Sequence, residues 1–347
     1  MTILLLFLAA LTWRDAQRQP PGWYASAEAV RIADNLLLYQ RDIGGWDKNI
    51  DMAKPLTSEE RAKLGKEKHD PASLCTIDND STYTQMRYLA RVYTATGQPL
   101  YAAAFRRGFE YLLKAQYPNG GWPQFFPLRN GYWDHITYND DAMIGVLETL
   151  RAIVNRAPEY AFLNDTERAR AKQAVDRGIE CILKTQVLQN GKLTAWCAQH
   201  DEKTLAPAKA RAYEHPSLSG SESVGIVEFL MGIEKPSPEV VRAVRSAVDW
   251  FQSVKLEGIR VVAQPAAGTP KGTDNTVVHD PQAPPLWARF YELGTNRPIF
   301  SGRDSVIKYS LAEIEYERRN GYRWYVDRPA KLIDQEYPKW AAKWAAR

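Results

Sequence analysis

The stretch Gln40-Arg41-Asp42-Ile43-Gly44-Gly45-Trp46 recurs along this chain. Its second copy is Gln116-Tyr117-Pro118-Asn119-Gly120-Gly121-Trp122, a degenerate third copy covers Lys184 to Gly191, and a faint fourth runs from Trp250 to Gly258. The period is therefore about 70 residues, enough for two helices and their loops. A helical pair of this size buries its apolar faces only by stacking on neighbouring pairs. The repeat therefore predicts an array of helical hairpins.

Each repeat contains two kinds of helical segment. The first kind is apolar nearly all round, as in Asp141 to Val154 and Ser221 to Ile233, which predicts burial. The second kind is amphipathic, as from Pro99 to Leu113. Buried helices alternating with amphipathic ones predict two concentric layers, that is, an all-α toroid or α/α barrel with long irregular loops at one end. We predict its last inner helix over Trp287 to Leu293.

Composition and charge exclude several classes of function. The chain has 347 residues, 45% of them hydrophobic, and its net charge is +4 without any block of basic residues. It carries no nucleic-acid-binding signature, so we expect no nucleic-acid partner. The three cysteines, Cys75, Cys181 and Cys197, are too few and too scattered for a disulfide framework or a zinc site. We expect three buried thiols.

The first residues are predicted to be a secretory leader. Met1 to Leu11 is an apolar run with the length of a signal-peptide core, and it is too short to span a membrane as a helix. No basic residue precedes it and no clean cleavage site follows, so an ordinary buried helix is the alternative. We assign residues 1–19 to the leader and 20–347 to one toroid domain. The mature chain is expected to be a secreted or periplasmic monomer with no membrane span.

Two polar clusters open the first helices of consecutive repeats. Thr76 to Thr82 contains Asp78, Asn79 and Asp80, and Tyr138 to Asp141 carries a similar group. One side chain suffices to cap a helix N-terminus, so redundant capping is one interpretation. A toroid would gather these helix starts at one end, where close carboxylates repel each other unless protons or a metal neutralise them. Because an all-oxygen set suits calcium better than zinc, the clusters predict a Ca²⁺ site.

The approach to the third inner helix, Lys209 to Ser217, is basic where the others are acidic. Its Arg211 either pairs with an acid to hold loops together or binds a substrate carboxylate bidentately. Carboxylate-rich α/α barrels include inverting glycoside hydrolases with a paired acid and base. The repeat is also similar to that of terpene cyclase-like toroids, although Asp78-Asn79-Asp80-Ser81 lacks the last residue of their acidic motif.

From Trp23 onward the chain resembles the pectate lyases of polysaccharide lyase family 10. The resembling blocks follow one another in the same order, and they are Trp23 to Ser26, Gly44 to Asn49, Thr76 to Asp80, Pro118 to Gln124, Ile136 to Asp140, Arg211 to Pro216, Arg289 to Glu292 and Asn296 to Phe300. This resemblance implies an (α/α)₃ toroid that cleaves α-1,4-linked polygalacturonate, the backbone of pectin, by calcium-assisted anti β-elimination. The product would be 4,5-unsaturated oligogalacturonides.

The resemblance also implies roles for individual residues. Asp78, Asn79 and Asp140 would hold the metal or the metal-bound substrate, and Arg211 would remove the C5 proton. A guanidinium normally keeps its proton, so we expect nearby cations to lower the pKa of Arg211. If Arg211 only orients the substrate carboxylate, Lys209 or a water molecule would be the base.

Further residues are predicted to contact the substrate. Asn139 and Tyr213 lie in the matched blocks. Uronates need counter-charges, for which the candidates are Lys192, Arg289, Arg297 and Arg303; each has the alternative of a solvated or structural charge. Trp122 is either a sugar platform or, as we favour, a core residue. We assign Asp80 to plain helix capping. A pectin-binding protein without catalysis is the remaining alternative.

Overall fold

Helices dominate the described chain, and its strands occur only in antiparallel pairs. The computed structural model describes residues 11–70, 72 and 74–344. Two compact units divide the chain: the first comprises 1–116, 124–128 and 145–175, and the second comprises 117–123, 129–144 and 176–347. Residues 1–10 of the predicted leader lie outside the described residues. The leader and the single domain of 20–347 stay predictions.

The helices are α1 (Trp13–Ala16), α2 (Ala27–Tyr39), α3 (Ser58–Glu67), α4 (Tyr83–Thr96), α5 (Pro99–Ala115), α6 (Ala142–Val154), α7 (Asp165–Thr185), α8 (Glu222–Met231), α9 (Pro238–Ser253), α10 (Tyr316–Gly321), α11 (Arg328–Lys331) and α12 (Tyr337–Trp344). Short 3₁₀ turns cover Pro21–Ala25, Tyr132–Asp134, Asn139–Asp141, Pro158–Tyr160 and Leu311–Glu313, and a π-helical turn covers Leu332–Glu336.

The strand pairs are β1 (Cys75–Thr76) with β2 (Phe125–Phe126), β3 (Ile136–Thr137) with β6 (Gln199–His200), β4 (Leu188–Gln189) with β5 (Lys192–Leu193), β7 (Ser217–Ser219) with β11 (Phe290–Glu292), β8 (Ile259–Pro265) with β9 (Thr273–His279), β10 (Trp287–Ala288) with β14 (Tyr325–Val326), and β12 (Phe300–Ser301) with β13 (Ile307–Lys308).

The first unit is built from helical hairpins of the predicted kind. Helix α4 buries most of its residues and ends at Gly97, whose φ of 69° is the left-handed conformation typical of a helix C-terminus. Pro99 then occupies the first turn of the amphipathic helix α5, where its missing N–H costs nothing. Helix α1 packs here too, with the Trp13 ring 5.3 Å from the ring of Tyr88.

A glutamine before each turn links it to the second helix of the next repeat. The Gln40 side-chain amide donates hydrogen bonds to the carbonyls of Gly44 and Ala104, at 2.8 and 2.9 Å. We call this link a glutamine bridge. It recurs at 2.9 Å in both later repeats, from Gln116 to Ala174 in the first unit and from Gln186 to Ala243 in the second. The repeated glutamine is therefore structural.

The repeated tryptophan is also structural, because its indole N–H bonds the carbonyl of the preceding helix. Trp46 donates to Leu36 at 2.9 Å, Trp196 to Ile182 at 2.8 Å, and Trp287 to Phe251 at 2.8 Å. In the third repeat, the β4–β5 hairpin separates the tryptophan from its glutamine, which is why the sequence pattern appears degenerate there. Trp122 is fully buried, so the core interpretation of this residue is confirmed.

The helix predicted over Trp287 to Leu293 is wrong. The backbone forms β10, which pairs with β14, and β11, which pairs with β7. Strands there agree with the aromatic run Trp-Ala-Arg-Phe-Tyr, since aromatic residues favour strands. Residues 261–263, a short apolar run, lie within the seven-residue strand β8.

The last part of the second unit packs onto its own apolar cluster. Leu311, Ile314 and Trp324 are buried together with Phe290 and Phe300, and Tyr322 packs against them. The tail thereby lies beside the strands that carry Arg289. All three cysteines are free and buried, which confirms that prediction. Within the described ranges, no helix is long and apolar enough to cross a membrane.

Candidate active site

Asp78 lies at the centre of the polar cluster in the first unit. The β1–β2 pair brings Gln124 close to it, and the Gln124 amide donates to Asp78 Oδ2 at 2.6 Å. The ammonium of Lys48 forms an ion pair with the same oxygen. Oδ1 of Asp78 is buried and has no hydrogen-bond partner. An unsatisfied buried carboxylate oxygen is costly, and a cation would satisfy it.

The backbone next to Asp78 adopts an unusual conformation. Asn79, Asp80 and Thr82 all have positive φ, between 49° and 66°, a region that Asn and Asp tolerate better than most residues. The Asn79 amide donates to Asn49 Oδ1 at 2.8 Å. Helix α4 has no side-chain cap, so the capping role predicted for Asp80 is wrong. Its carboxylate instead accepts a hydrogen bond from the Tyr83 hydroxyl at 2.7 Å.

In the second unit, Arg289 joins the Asn139–Asp140 cluster to helix α8. One guanidinium nitrogen lies 3.1 Å from Asp140 Oδ1 and 3.4 Å from Asn139 Oδ1, and it also contacts Glu222. The other carboxylate oxygen of Asp140 accepts from the Asn139 amide at 2.7 Å. Asp140 is nevertheless 43% exposed, so it is accessible to a ligand.

The charge of Arg289 is compensated from within the protein. Burial alone would lower its pKa, but Glu222 foremost, then Tyr322 and Asp140, hold the pKa above its usual value. Glu222 is 2% exposed and also accepts a hydrogen bond from the Ser219 hydroxyl. Charge-assisted hydrogen bonds are stronger than neutral ones, so the contact with Glu222 fixes the arginine.

Asp141 is held separately, by Arg328 of the short helix α11. Arg328 lies 2.6 Å from Asp141 Oδ2 and 3.3 Å from Glu228. Burial nonetheless raises the pKa of Asp141 to about 6, against the lowering effect of Arg328. Three of the clustered carboxylates have cationic partners, since Asp78, Asp140 and Asp141 pair with Lys48, Arg289 and Arg328 respectively.

Arg211 forms a bidentate ion pair with Glu214, which lies one turn further along the same loop. Its Nε lies 2.8 Å from Glu214 Oε2, and a terminal nitrogen lies 2.7 Å from Oε1. Its guanidinium also faces the ring of Tyr213 at 5.4 Å. Burial opposes the charge, but Glu214 outweighs it and raises the pKa of Arg211. The expected lowering of this pKa is therefore not what the described residues produce.

The remaining predicted substrate contacts are dispersed over the second unit. Lys192 is exposed on the β4–β5 hairpin, at the edge of a cavity of about 860 Å³ that Arg242 and Trp250 also line. Arg297 stacks on Tyr309 at 3.6 Å, and Arg303 pairs with Glu317 at 3.1 Å. These pairings agree with the structural alternative for both arginines.

Lys209, the alternative base, donates to the Ser305 hydroxyl at 2.5 Å. A further group of metal-type ligands in the second unit consists of His135, Asp201 and Glu202, whose ligand atoms lie within 4.8 Å of one another. No local sequence pattern marks this group, because His135 lies 67 residues before Glu202 and the two meet beside the β3–β6 pair.

Comparisons with known proteins identify the family of this chain. Residues 40–333 match the pectic acid lyase family. The chain belongs to this family. It is similar to a family 10 polysaccharide lyase from Cellvibrio cellulosa, with 37% identity over 94% of this chain and 95% of that one, and a TM-score of 0.78. A comparison with curated proteins found no match.

A mutant of the Cellvibrio cellulosa lyase in complex with trigalacturonic acid is equally similar, with 37% identity, a TM-score of 0.77, and coverage of 95% of this chain and 98% of that one. The all-α toroid class predicted from the repeats is confirmed by these matches and by the helices. The chain is thus a pectate lyase of family 10, an enzyme acting on a polysaccharide.

Several residues of the candidate site were not predicted from the sequence. Lys48 and Gln124 reach Asp78 from 30 and 46 residues away, and Glu222 reaches Arg289 from 67 residues away. Lys48, Gln124 and Glu214 all lie within matched blocks, and Glu214 also lies three residues after Arg211, so these three were discoverable. Glu222 lies outside every matched block.

Proposed function

We propose that the lyase cleaves polygalacturonate by calcium-assisted anti β-elimination, with Arg211 as the base. The observation that carries this proposal is the way in which Arg211 is held. Glu214 binds one edge of its guanidinium, while 41% of the side chain stays exposed. A base must be both fixed and accessible. Arg211 meets both conditions, whereas Lys209 is held only through one serine hydroxyl.

The elimination removes a proton from C5 of a galacturonate while the C4–O4 bond breaks. The electron pair of the C5–H bond becomes the new C4–C5 double bond, and the proton goes to Arg211. O4 leaves on the other fragment with the electron pair of the C4–O4 bond and takes a proton from solvent. Negative charge builds on the C6 carboxylate as C5 loses its proton. A cationic group bound to that carboxylate stabilises this charge. Arg289, fixed by Glu222, is the arginine that we propose for this role.

Calcium, when bound, would supply a Lewis acid for the same carboxylate. The residues fit a hard cation, since Asp78 Oδ1 is a buried oxygen without a partner and the nearby donors are carboxylates and amides. We propose that Asp78 and Asn79 in the first unit hold it. In the second unit, we propose Asp140 as a ligand of the metal or of the metal-bound substrate, and Asn139 and Tyr213 as substrate contacts. Lys192, Arg297 and Arg303 are proposed as more distant counter-charges along the polymer.

Arg211 must lose its own proton before it can accept another. Glu214 opposes that loss because it raises the pKa of Arg211. Cations gathered at the substrate carboxylate would act in the opposite direction. The balance between these two fields decides at which pH the enzyme is active.

One assay tests the proposal against its alternatives. With polygalacturonate, we expect the ultraviolet absorbance of the conjugated 4,5-unsaturated product, and we expect a chelator to abolish it. A glycoside hydrolase would instead release reducing ends without that absorbance, and a pectin-binding protein would give neither. A terpene cyclase-like protein would not bind uronates. We further propose a secreted or periplasmic monomer, which fractionation and sedimentation would test.

A further inference from the structure

Tyr322 contacts both of the arginines to which the proposed mechanism assigns chemistry. Its hydroxyl donates a hydrogen bond to Glu214 Oε1 at 2.8 Å, the same oxygen that contacts Arg211. The face of its ring lies 4.8 Å from the guanidinium of Arg289. A single side chain from the C-terminal part of the chain thereby links two arginines that are 78 positions apart (211 and 289).

The backbone around Tyr322 is fixed by strand pairing. Strand β14 pairs with β10, and the Arg289 amide donates to the Trp324 carbonyl at 2.7 Å. The Tyr322 ring also stacks on Phe290 at 6.1 Å with an 18° interplanar angle, and its edge meets the Tyr213 ring at 5.2 Å. The ring therefore has aromatic neighbours on the strand of Arg289 and on the loop of Arg211.

Burial keeps the hydroxyl of Tyr322 protonated. Burial raises the pKa of Tyr322 well above its usual value; Arg289 and Arg211 act against this, and Glu214 and Glu222 act with it. The neutral phenol is thus a permanent hydrogen-bond donor to Glu214. Arg318, which faces Tyr213 at 4.7 Å, is a further cation beside Arg211.

We propose that Tyr322 is a positioning residue that sets the geometry of both arginines for the elimination. Its hydroxyl orients Glu214 and so Arg211, and its ring holds the guanidinium of Arg289 through a cation–π contact. This inference rests on the proposed function, because it assumes that Arg211 acts on C5 and Arg289 on the C6 carboxylate. The two contacts predict separable kinetic effects.

Tyr322→Phe removes only the hydroxyl. Glu214 then loses a hydrogen-bond donor, so its negative charge interacts more strongly with Arg211. This stronger interaction raises the pKa of the guanidinium. We expect kcat to fall about tenfold, KM to stay within about twofold, and the pH–rate profile to move to higher pH. Tyr322→Leu also removes the ring, so KM should rise by a further factor of about five.

The matched control is Tyr316→Phe. Tyr316 donates its hydroxyl to the Thr273 carbonyl at 2.8 Å, so this variant loses a comparable hydrogen bond. We expect wild-type kcat, KM and pH profile from it. Thermal unfolding of all three variants shows whether each is folded, and a Tyr322→Phe and Glu214→Gln double-mutant cycle in unfolding measures the coupling of this pair without catalysis.

The outcomes separate the inference from the proposed function. Wild-type kinetics in Tyr322→Phe, or no unfolding coupling between Tyr322 and Glu214, would overturn the positioning role while the wild type still forms product. Conversely, a wild type that forms no unsaturated product would overturn the proposed function, and the coupling measurement would still decide whether Tyr322 fixes Glu214.

Discussion

Glu214 binds the guanidinium of Arg211 through both of its carboxylate oxygens, at 2.8 Å to Nε and 2.7 Å to a terminal nitrogen. The pair orients Arg211 but also stabilises its charged form. Glu214 therefore disfavours the neutral form that Arg211 needs in order to act as a base. Variants of Arg211 and variants of Glu214 should for this reason have different kinetic effects.

Replacing Arg211 by Ala or Lys should lower kcat by about a thousandfold or more, since a positioned base contributes 10²- to 10⁴-fold. Lysine cannot reproduce the two-point contact with Glu214. Steady-state measurement of unsaturated product, with Lys209→Gln as the control, provides the comparison. If the kcat of Arg211→Ala lies within about tenfold of the wild-type value, the base is Lys209 or a water molecule instead.

Replacing Glu214 by Gln should move the pH dependence of kcat/KM to lower pH. The Glu214 charge raises the pKa of Arg211, so its removal lowers that pKa and populates the neutral base at lower pH. The pH–rate profile measures this directly. An unchanged profile would mean that the ionisation seen in the kinetics is not that of Arg211.

Asp78→Asn should raise the calcium concentration needed for half-maximal activity by about tenfold or more, because one carboxylate ligand is lost. Asp80→Asn is the matched control in the same stretch, since Asp80 contacts the Tyr83 hydroxyl; its calcium dependence should equal that of wild type. Calcium titration of chelator-treated protein provides the measurement, and equal curves for both variants would exclude Asp78 as a ligand.

Gly120→Ala should destabilise the fold by about 3 kcal/mol or more. Gly120 has a φ of 93°, and a Cβ there would overlap the Arg177 carbonyl. Gly97→Ala, with a φ of 69° and no atom near the new Cβ, should cost only about 1 kcal/mol of backbone strain. Denaturant unfolding measures the free energy of unfolding of both variants. Similar losses of that free energy would show that small backbone shifts relieve the crowding at the repeated turn.

His200 should make stability fall as the solution is acidified. It is fully buried, donates from Nδ1 to the Leu205 carbonyl and accepts from the Cys197 amide at Nε2, and burial lowers its pKa to about 4. The unfolded chain binds this proton near pH 6.5. The stabilising contribution is therefore complete above about pH 6.5 and is lost as pH falls towards 4, up to about 3 kcal/mol.

Unfolding of wild type and His200→Gln between pH 7 and 4 isolates that contribution, with His69→Gln as the exposed control. The gap in unfolding free energy between wild type and His200→Gln should narrow on acidification. A constant gap would show that His200 does not titrate in this window.

Periodicity predicted the helices well, because the spacing of apolar residues within one segment indicates which of its positions are buried. Helix α9 and helix α8 each bury the apolar positions that the pattern marks. The run at Trp287 misled the prediction, since its conformation depends on pairing with Tyr325 and Val326, which lie far along the chain. A local sequence pattern contains no information about strand pairing between segments that are far apart in the chain.

The site was only partly predictable for the same reason. Asp78 and Asp140 drew attention because oxygen ligands are dense around them. Their pairing with cations was not predicted, because Lys48 and Arg289 reach them from distant segments. The contacts of Tyr322 were not predicted for the same reason, since Glu214 lies 108 residues before it.

The glutamine bridges connect each turn to a helix about 60 residues later, as from Gln40 to Ala104 and from Gln116 to Ala174. Neighbouring hairpins are thereby interlocked, so no hairpin of the first unit has all its hydrogen bonds when it is alone. For the evolution of the chain, this means that a hairpin inserted or deleted out of register leaves a buried glutamine without its acceptor. A duplication within this chain would therefore keep these hydrogen bonds only if it preserved the spacing between each glutamine and the helix that accepts from it.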